Sequence, residues 1–228
     1  ISKGSVTFSG SNISLTGGSF TVDSGASGSF STNVALGNST AFAVDGSLDV
    51  RLVGGGKAVT KSGTGTLTIS DTSSSDYSLT INAGTVVLQR APSAAGKTLK
   101  GMGVNSGGLL QIAADGQRTN GLTVNTGGAA EINANLTAYV NALNGGGNIS
   151  GGAGSLINVT GGTFNGNITG SGSLAVTSGT FTLSNTSSMT FTIGANGVNN
   201  SVSGAVIANF TGSRAFDLSG ADKTDGNT

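Results

Sequence analysis

Apolar residues alternate with serine, threonine, asparagine and aspartate along most of the chain, in short runs closed by glycine. GSVTFSG at 4–10, GSFTVDSG at 18–25, GSLDVRLVG at 46–54, GTLTIS at 65–70, GTVVLQR at 84–90, GSLINVTG at 154–161 and GSLAVTSG at 172–179 are variants of one unit. A period of two marks a strand with one face on a core and the other in water. Val6 and Phe8, Phe20 and Val22, Leu48 with Val50 and Leu52, Leu67 and Ile69, and Leu79 and Ile81 all take the inward side. Leu122 and Val124, Leu174 and Val176, Phe181 and Leu183, and Phe191 and Ile193 do the same further on. A helix would have to carry a glycine every few residues, each costing about 1 kcal/mol relative to alanine. The pattern therefore predicts an all-β chain with almost no helix. Residues 129–143 (AAEINANLTAYVNAL) have room for one helical turn, but their Asn and Thr content favours strands.

Recurrence of one short unit predicts a solenoid, in which each coil buries its apolar side only against its neighbours. Successive glycines give intervals of 18 (Gly28 to Gly46), 19 (Gly46 to Gly65), 19 (Gly65 to Gly84), 20 (Gly108 to Gly128) and 18 (Gly154 to Gly172). These lengths suit coils of two or three strands in a parallel β-helix. About eleven coils at roughly 4.8 Å each would make a rod on the order of 50 Å long. Two intervals are longer, 24 from Gly84 to Gly108 and 26 from Gly128 to Gly154. They mark residues 91–107 and 134–153 as loops expected to protrude, with the single proline, Pro92, breaking the ladder in the first. Residues 1–228 read as one solenoid segment ending in a polar tail, 220–228, and as a piece of a longer protein with uncapped strand edges.

Composition narrows the function classes. Glycine fills 41 of 228 positions, against about 7% in ordinary usage, while charged residues make up 9%. Ten basic and ten acidic residues cancel, and no basic run supplies a footprint for nucleic acid or an anionic membrane. No apolar stretch reaches the roughly 20 residues of a membrane-spanning helix. Cysteine is absent, which excludes disulfides and thiolate metal sites and suits a protein exported unfolded. Histidine is absent too, so Ser-His-Asp and Cys-His nucleophile systems are impossible.

The stretch 56–89, GKAVTKSGTGTLTISDTSSSDYSLTINAGTVVLQ, holds Lys61, Gly63, Gly65, Leu67, Tyr77, Asn82, Ala83 and Gly84 at characteristic spacings. In these residues the chain resembles the autotransporter-associated β-strand repeat of large bacterial surface and secreted proteins. The closing segment 216–228 is similar to the stretch preceding the sorting or anchoring region in several of them. The resemblance implies a right-handed parallel β-helix passenger, extracellular or displayed at the outer surface of a Gram-negative-type bacterium. It implies no particular activity.

Candidate chemistry is sparse. The closest carboxylate pairs are Asp45/Asp49, Asp71/Asp76 and Asp222/Asp225, none with a supporting constellation. Asp49 and Arg51 alternate with Leu48, Val50 and Leu52, and so read as an exposed pair worth under about 1 kcal/mol. APSAAGKT at 91–98 satisfies a permissive phosphate-loop pattern, but LKGMGVNSGG after it is no helix. Lys97 and Lys100 there read as groups that keep a loop soluble. Asp217, Asp222 and Asp225 are weak oxygen ligands for calcium, at spacings unlike those of known calcium loops. Tyr77 and Tyr139 lie among polar residues and read as exposed, able to contact carbohydrate. The expectation is a non-catalytic structural or adhesive rod without a cofactor. Its expected partners are other copies of itself, other surface proteins or carbohydrate. The competing class is a polysaccharide-binding or polysaccharide-degrading β-helix.

Overall fold

A computed structural model gives the fold, and it describes residues 1–11, 13–70, 76–90, 98–177, 180–185, 189–192, 205–210 and 214–217, with side chains as far as residue 183. The first turn carries β1 (Ser5–Phe8), β2 (Ile13–Leu15) and β3 (Ser19–Val22). Three turns of two strands follow: β4 (Ser27–Leu36) with β5 (Thr40–Val44), β6 (Ser47–Val53) with β7 (Ala58–Ser62), and β8 (Thr66–Ile69) with β9 (Ser78–Ile81). A third strand then joins each turn. The next two turns are β10 (Gly84–Leu88), β11 (Thr98–Leu99), β12 (Gly101–Val104), and β13 (Gly108–Ile112), β14 (Gln117–Thr119), β15 (Leu122–Val124). After them come β16 (Ala129–Ile132), β17 (Thr137–Val140), β18 (Leu143–Gly145), and β19 (Asn148–Gly151), β20 (Leu156–Val159), β21 (Gly162–Phe164). β22 (Asn167–Gly170), β23 (Ser173–Val176) and β24 (Thr180–Asn185) lead to β25 (Met189–Thr192), β26 (Ala205–Phe210) and β27 (Arg214–Asp217).

Equivalent strands stack in parallel, giving a β-solenoid of about 8 turns, fewer than the roughly eleven coils expected from the glycine spacing. The first sheet runs β1-β4-β6-β8-β10-β13-β16-β19-β22, and the second runs from β3 through β5, β7, β9, β12, β15, β18, β21 and β24 to β26. The third is shorter, β11-β14-β17-β20-β23. The expected all-β parallel solenoid is present, and the described residues contain no helix. Residues 129–132 and 137–140, where a helical turn had room, are β16 and β17.

Alternation sets the inward face along the middle of the stack, whereas Val6 in the first turn is 37% exposed rather than buried, and Leu174, Ala175 and Val176 of β23 are all buried in succession. Leu48, Val50 and Leu52 of β6 are at most 2% exposed while Asp49 and Arg51 between them face water. The inward residues form one continuous core from Val22 to Leu183. Phe8, Phe20, Phe30 and Phe42 gather near its start, with Phe8 stacked on Phe30 at 4.6 Å between centroids. Phe164 and Phe181 are fully buried core residues. Phe191 lies in β25, outside the described side chains.

Register corrects three of the glycine intervals. Leu156 pairs with Ser173, and Gly172 therefore stands opposite Ser155 rather than Gly154. Gly28 pairs with Leu48 rather than aligning with Gly46. Ala129 pairs with Asn148, so the glycine equivalent to Gly128 is Gly147 and not Gly154. Residues 134–153 are therefore no protruding loop: they contain β17, β18 and β19. Gly154 instead precedes β20 of the third sheet, so the longer interval joined two different corners. The interval from Gly84 to Gly108 is real, since these two glycines pair. Within it, however, residues 98–104 carry β11 and β12, and 91–97, including Pro92 and Lys97, lie outside the described residues.

Candidate functional site

The residues 61–84 form a corner of the solenoid built around a buried charge. Lys61 shares the parity of Val59 in β7, so its side chain points inward between Phe42 and Ile81, its register neighbours in the adjacent turns. It is fully buried. Its ammonium donates to the carbonyl oxygens of Ser62 (2.8 Å) and Gly63 (2.6 Å) in its own turn, Val44 (3.2 Å) in the turn before and Ala83 (3.2 Å) in the turn after. One side chain thus ties three successive turns through main-chain oxygens. Burial pushes the Lys61 ammonium below the usual lysine value, and the charge of Asp45 opposes that shift.

Glycine is required where the carbonyls converge. Gly63 has φ +80°, and a Cβ there would lie 2.6 Å from the Val44 oxygen. Gly84 has φ +68°, and its Cβ would lie 2.4 Å from the Gly63 oxygen and 2.5 Å from that of Gly65. The oxygens can surround the ammonium only because the chains approach without side chains between them.

Asp45, exposed beside this corner, accepts from the Thr64 backbone N–H (2.8 Å) and hydroxyl (3.2 Å) one turn later. Those two bonds, the backbone one foremost, hold its carboxyl below the ordinary aspartate value despite some desolvation, with Lys61 adding a small pull in the same direction. A carboxyl with a lowered folded-state pKa adds stability that is full above the unfolded-state value and is lost as pH falls through the folded one. Asp45→Asn is therefore expected to show a smaller loss of denaturation midpoint between pH 6 and pH 3 than the parent. An equal loss in the two proteins would remove Asp45 from the account.

Asn82 begins a column of amides on the next corner. Asn105 Nδ2 donates to Asn82 Oδ1 at 2.7 Å, and Asn125 Nδ2 donates to Asn105 Oδ1 at 2.7 Å. Gly146 holds the following place, and a Cβ there would meet Asn165 Oδ1 at 3.0 Å and Thr126 Oγ1 at 3.2 Å, both ends of side chains that can swing. Gly146→Asn is expected to bridge Asn125 to Asn165 and raise stability by about 0.5–1 kcal/mol, from a new hydrogen bond and a stiffer unfolded chain. A lower melting midpoint would refute the continuity of the column.

The two tyrosines part company. Tyr77 is fully buried, not exposed, because it shares parity with Leu79 and Ile81 and enters the core with them. Arg90 lies 5.9 Å from its ring. Tyr77 therefore cannot contact a ligand in the folded protein. Tyr139 faces outward between buried Ala138 and Val140, as expected, but one ring face is covered by the Arg118 guanidinium at 3.9 Å. Arg118 belongs to no motif in the sequence. Its spacing from Tyr139, close to one turn of chain, is the only signal that could have found it.

The acidic residues stay apart. Asp49 accepts from Ser70 Oγ (2.6 Å), and Asp76 accepts from the Gly56 N–H (3.0 Å). No group of three or more His, Cys, Asp or Glu gathers among the described residues. Asp217 stands in β27 with its side chain outside the described set, and Asp71, Asp222 and Asp225 lie outside the described residues altogether. No helix among the described residues is long and apolar enough to cross a membrane. Fold and corner chemistry together define a parallel β-solenoid repeat protein. No family model matches the chain, and neither a curated protein nor a solved structure matches it.

Proposed function

We propose that this chain is a structural or adhesive segment of an exported bacterial surface protein. It acts without catalysis as a stiff β-helical rod in display, adhesion or filament assembly. The observation that carries the reading is the unbroken parallel stacking of strands from β1 to β22 in the first sheet. Every step is closed by backbone hydrogen bonds, and three turns are pinned by Lys61. A stack of this kind resists bending, because deformation would have to stretch bonds in all its sheets together. The resemblance to autotransporter-associated repeats is supported by the tasks of its residues. Lys61, Gly63, Gly84 and the Ala83 carbonyl close one corner, and Asn82 starts the amide column. Outward rows such as Ser47, Thr66 and Thr85 offer lateral pairing to other rods.

Two measurements test the proposal. Negative-stain microscopy and small-angle scattering of the purified chain are expected to show elongated particles, with about 8 turns alone accounting for roughly 40 Å of length. Immunogold labelling of intact source cells is expected on their outer face. Compact particles, or labelling only after lysis, would overturn it. Release of unsaturated or reducing sugars from a polysaccharide panel would favour the enzymatic alternative instead.

A further inference from the structure

The third sheet shows solvent a different chemistry from the other two. In the second sheet the outward register is small and uncharged, running Thr60, Thr80, Gly103, Thr123 and Asn144. In the third, Thr98 pairs with Arg118, Arg118 with Tyr139 and Tyr139 with Asn158. Beside this row Lys100, Asn120 and Asn141 occupy matching places, each bonded through its backbone N–H to the turn before. All three are exposed. Turn stacking requires none of these long side chains, and ordering Lys or Arg costs up to about 2 kcal/mol of rotamer freedom.

Arg118 is already partly ordered. Its guanidinium lies over the Tyr139 ring at 3.9 Å, a contact that helps to fix the group. Among the described residues the guanidinium N–H groups donate to no protein acceptor. Two carboxylates border the face, and each has an oxygen already engaged: Asp115 by the Thr137 N–H at 2.6 Å, and Asp76 by the Gly56 N–H at 3.0 Å. The Asn120 and Asn141 amides are linked at 3.2 Å, with further donor and acceptor capacity directed to solvent.

We propose that this face docks an acidic polysaccharide, an extended chain of sugar rings bearing carboxylates, laid along the rod axis. Arg118 takes a sugar carboxylate through its paired N–H groups, Lys100 adds a second positive charge, and the asparagine amides take ring hydroxyls. The strands of the third sheet, β11 to β23, give the face a length of about 20 Å. Arg118 and Lys100 favour this occupant over a neutral glycan, since a neutral chain offers them no carboxylate and one face of the Tyr139 ring is already taken by the guanidinium. Nucleic acid fits less well, because two cations neutralise few phosphates.

Titration calorimetry of the whole chain tests this with oligogalacturonate, its methyl ester, dextran and single-stranded oligothymidylate at physiological salt. Oligogalacturonate is expected to bind, and esterification to weaken binding at least tenfold. Arg118→Gln should weaken it at least tenfold and Lys100→Gln several-fold. Tyr139→Thr should weaken it several-fold, whereas Tyr139→Phe, which keeps the ring under the guanidinium, should retain parental affinity. Arg51→Gln, the same charge change on the first sheet, should leave affinity unaltered. Thermal melts confirm that each variant folds. Absence of binding to oligogalacturonate, equal binding of the ester, of dextran or of the oligothymidylate, or an equal loss in Arg51→Gln would each overturn the proposal.

Discussion

Lys61→Met is expected to lower the free energy of unfolding by about 3 kcal/mol, read as a shift of the urea midpoint. Methionine matches the lysine stem in length and fits between Phe42 and Ile81, so little of the loss would come from packing. The loss comes from the carbonyls of Val44, Ser62, Gly63 and Ala83, which lose a shared donor at a corner that is fully buried on the Val44 side and half-buried at the other three. Apolar replacement of a buried charge can be harmless when its partners are replaced with it. Here the partners are main chain and stay. The Val44 oxygen keeps one bond, from the Gly65 N–H, which is why the expected cost is below that of orphaning all four oxygens. Lys61→Arg is expected to be no rescue, since a planar fork cannot serve convergent oxygens as a compact ammonium does. A Met variant within about 0.5 kcal/mol of the parent would show that the ammonium is dispensable.

Gly84→Ala is the second large effect, expected to cost about 3 kcal/mol or more. Part is the left-handed backbone at φ +68°, which an L side chain adopts at about 1–2 kcal/mol. The rest is steric: the methyl would lie 2.4 Å from the Gly63 oxygen and 2.5 Å from the Gly65 oxygen, and main chain cannot swing aside. Gly103→Ala is the matched control. Nothing lies within 4 Å of its Cβ position, and it carries no left-handed φ. It should be neutral or stabilise by up to about 1 kcal/mol, through loss of unfolded-state freedom. Similar destabilisation by both would mean that glycine content, rather than close approach at the corner, governs stability.

Legibility in the sequence varied with the range of the interaction. Tyr77 and Lys61 show the boundary. Both have the parity of neighbouring inward residues, Leu79 and Val59, so their burial could be read from alternation alone. Their polarity argued for exposure. For Tyr77 the polar neighbours predict exposure, and the structure buries it. The acceptors that make a buried lysine tolerable are backbone oxygens, which have no signature in the side-chain sequence. Asp45 with Thr64, and Arg118 with Tyr139, stand about a turn apart along the chain, and each pair meets only because the turns stack in register.

The all-β character, the parallel stacking, the approximate length of a turn and, away from Val6 and β23, the side of a strand that faces the core are all legible in the order of residues. These follow from period-two alternation and corner glycines, which act over short stretches of chain. Only the stacked turns show which glycine is equivalent to which, that 134–153 carries strands rather than a loop, and that a third sheet begins at β11. They also show that Lys61 is a staple and that Arg118 is held over Tyr139. Register between turns is chosen by the stacking of a whole coil on its neighbour, and where corner glycines outnumber the coils, spacing leaves that choice open.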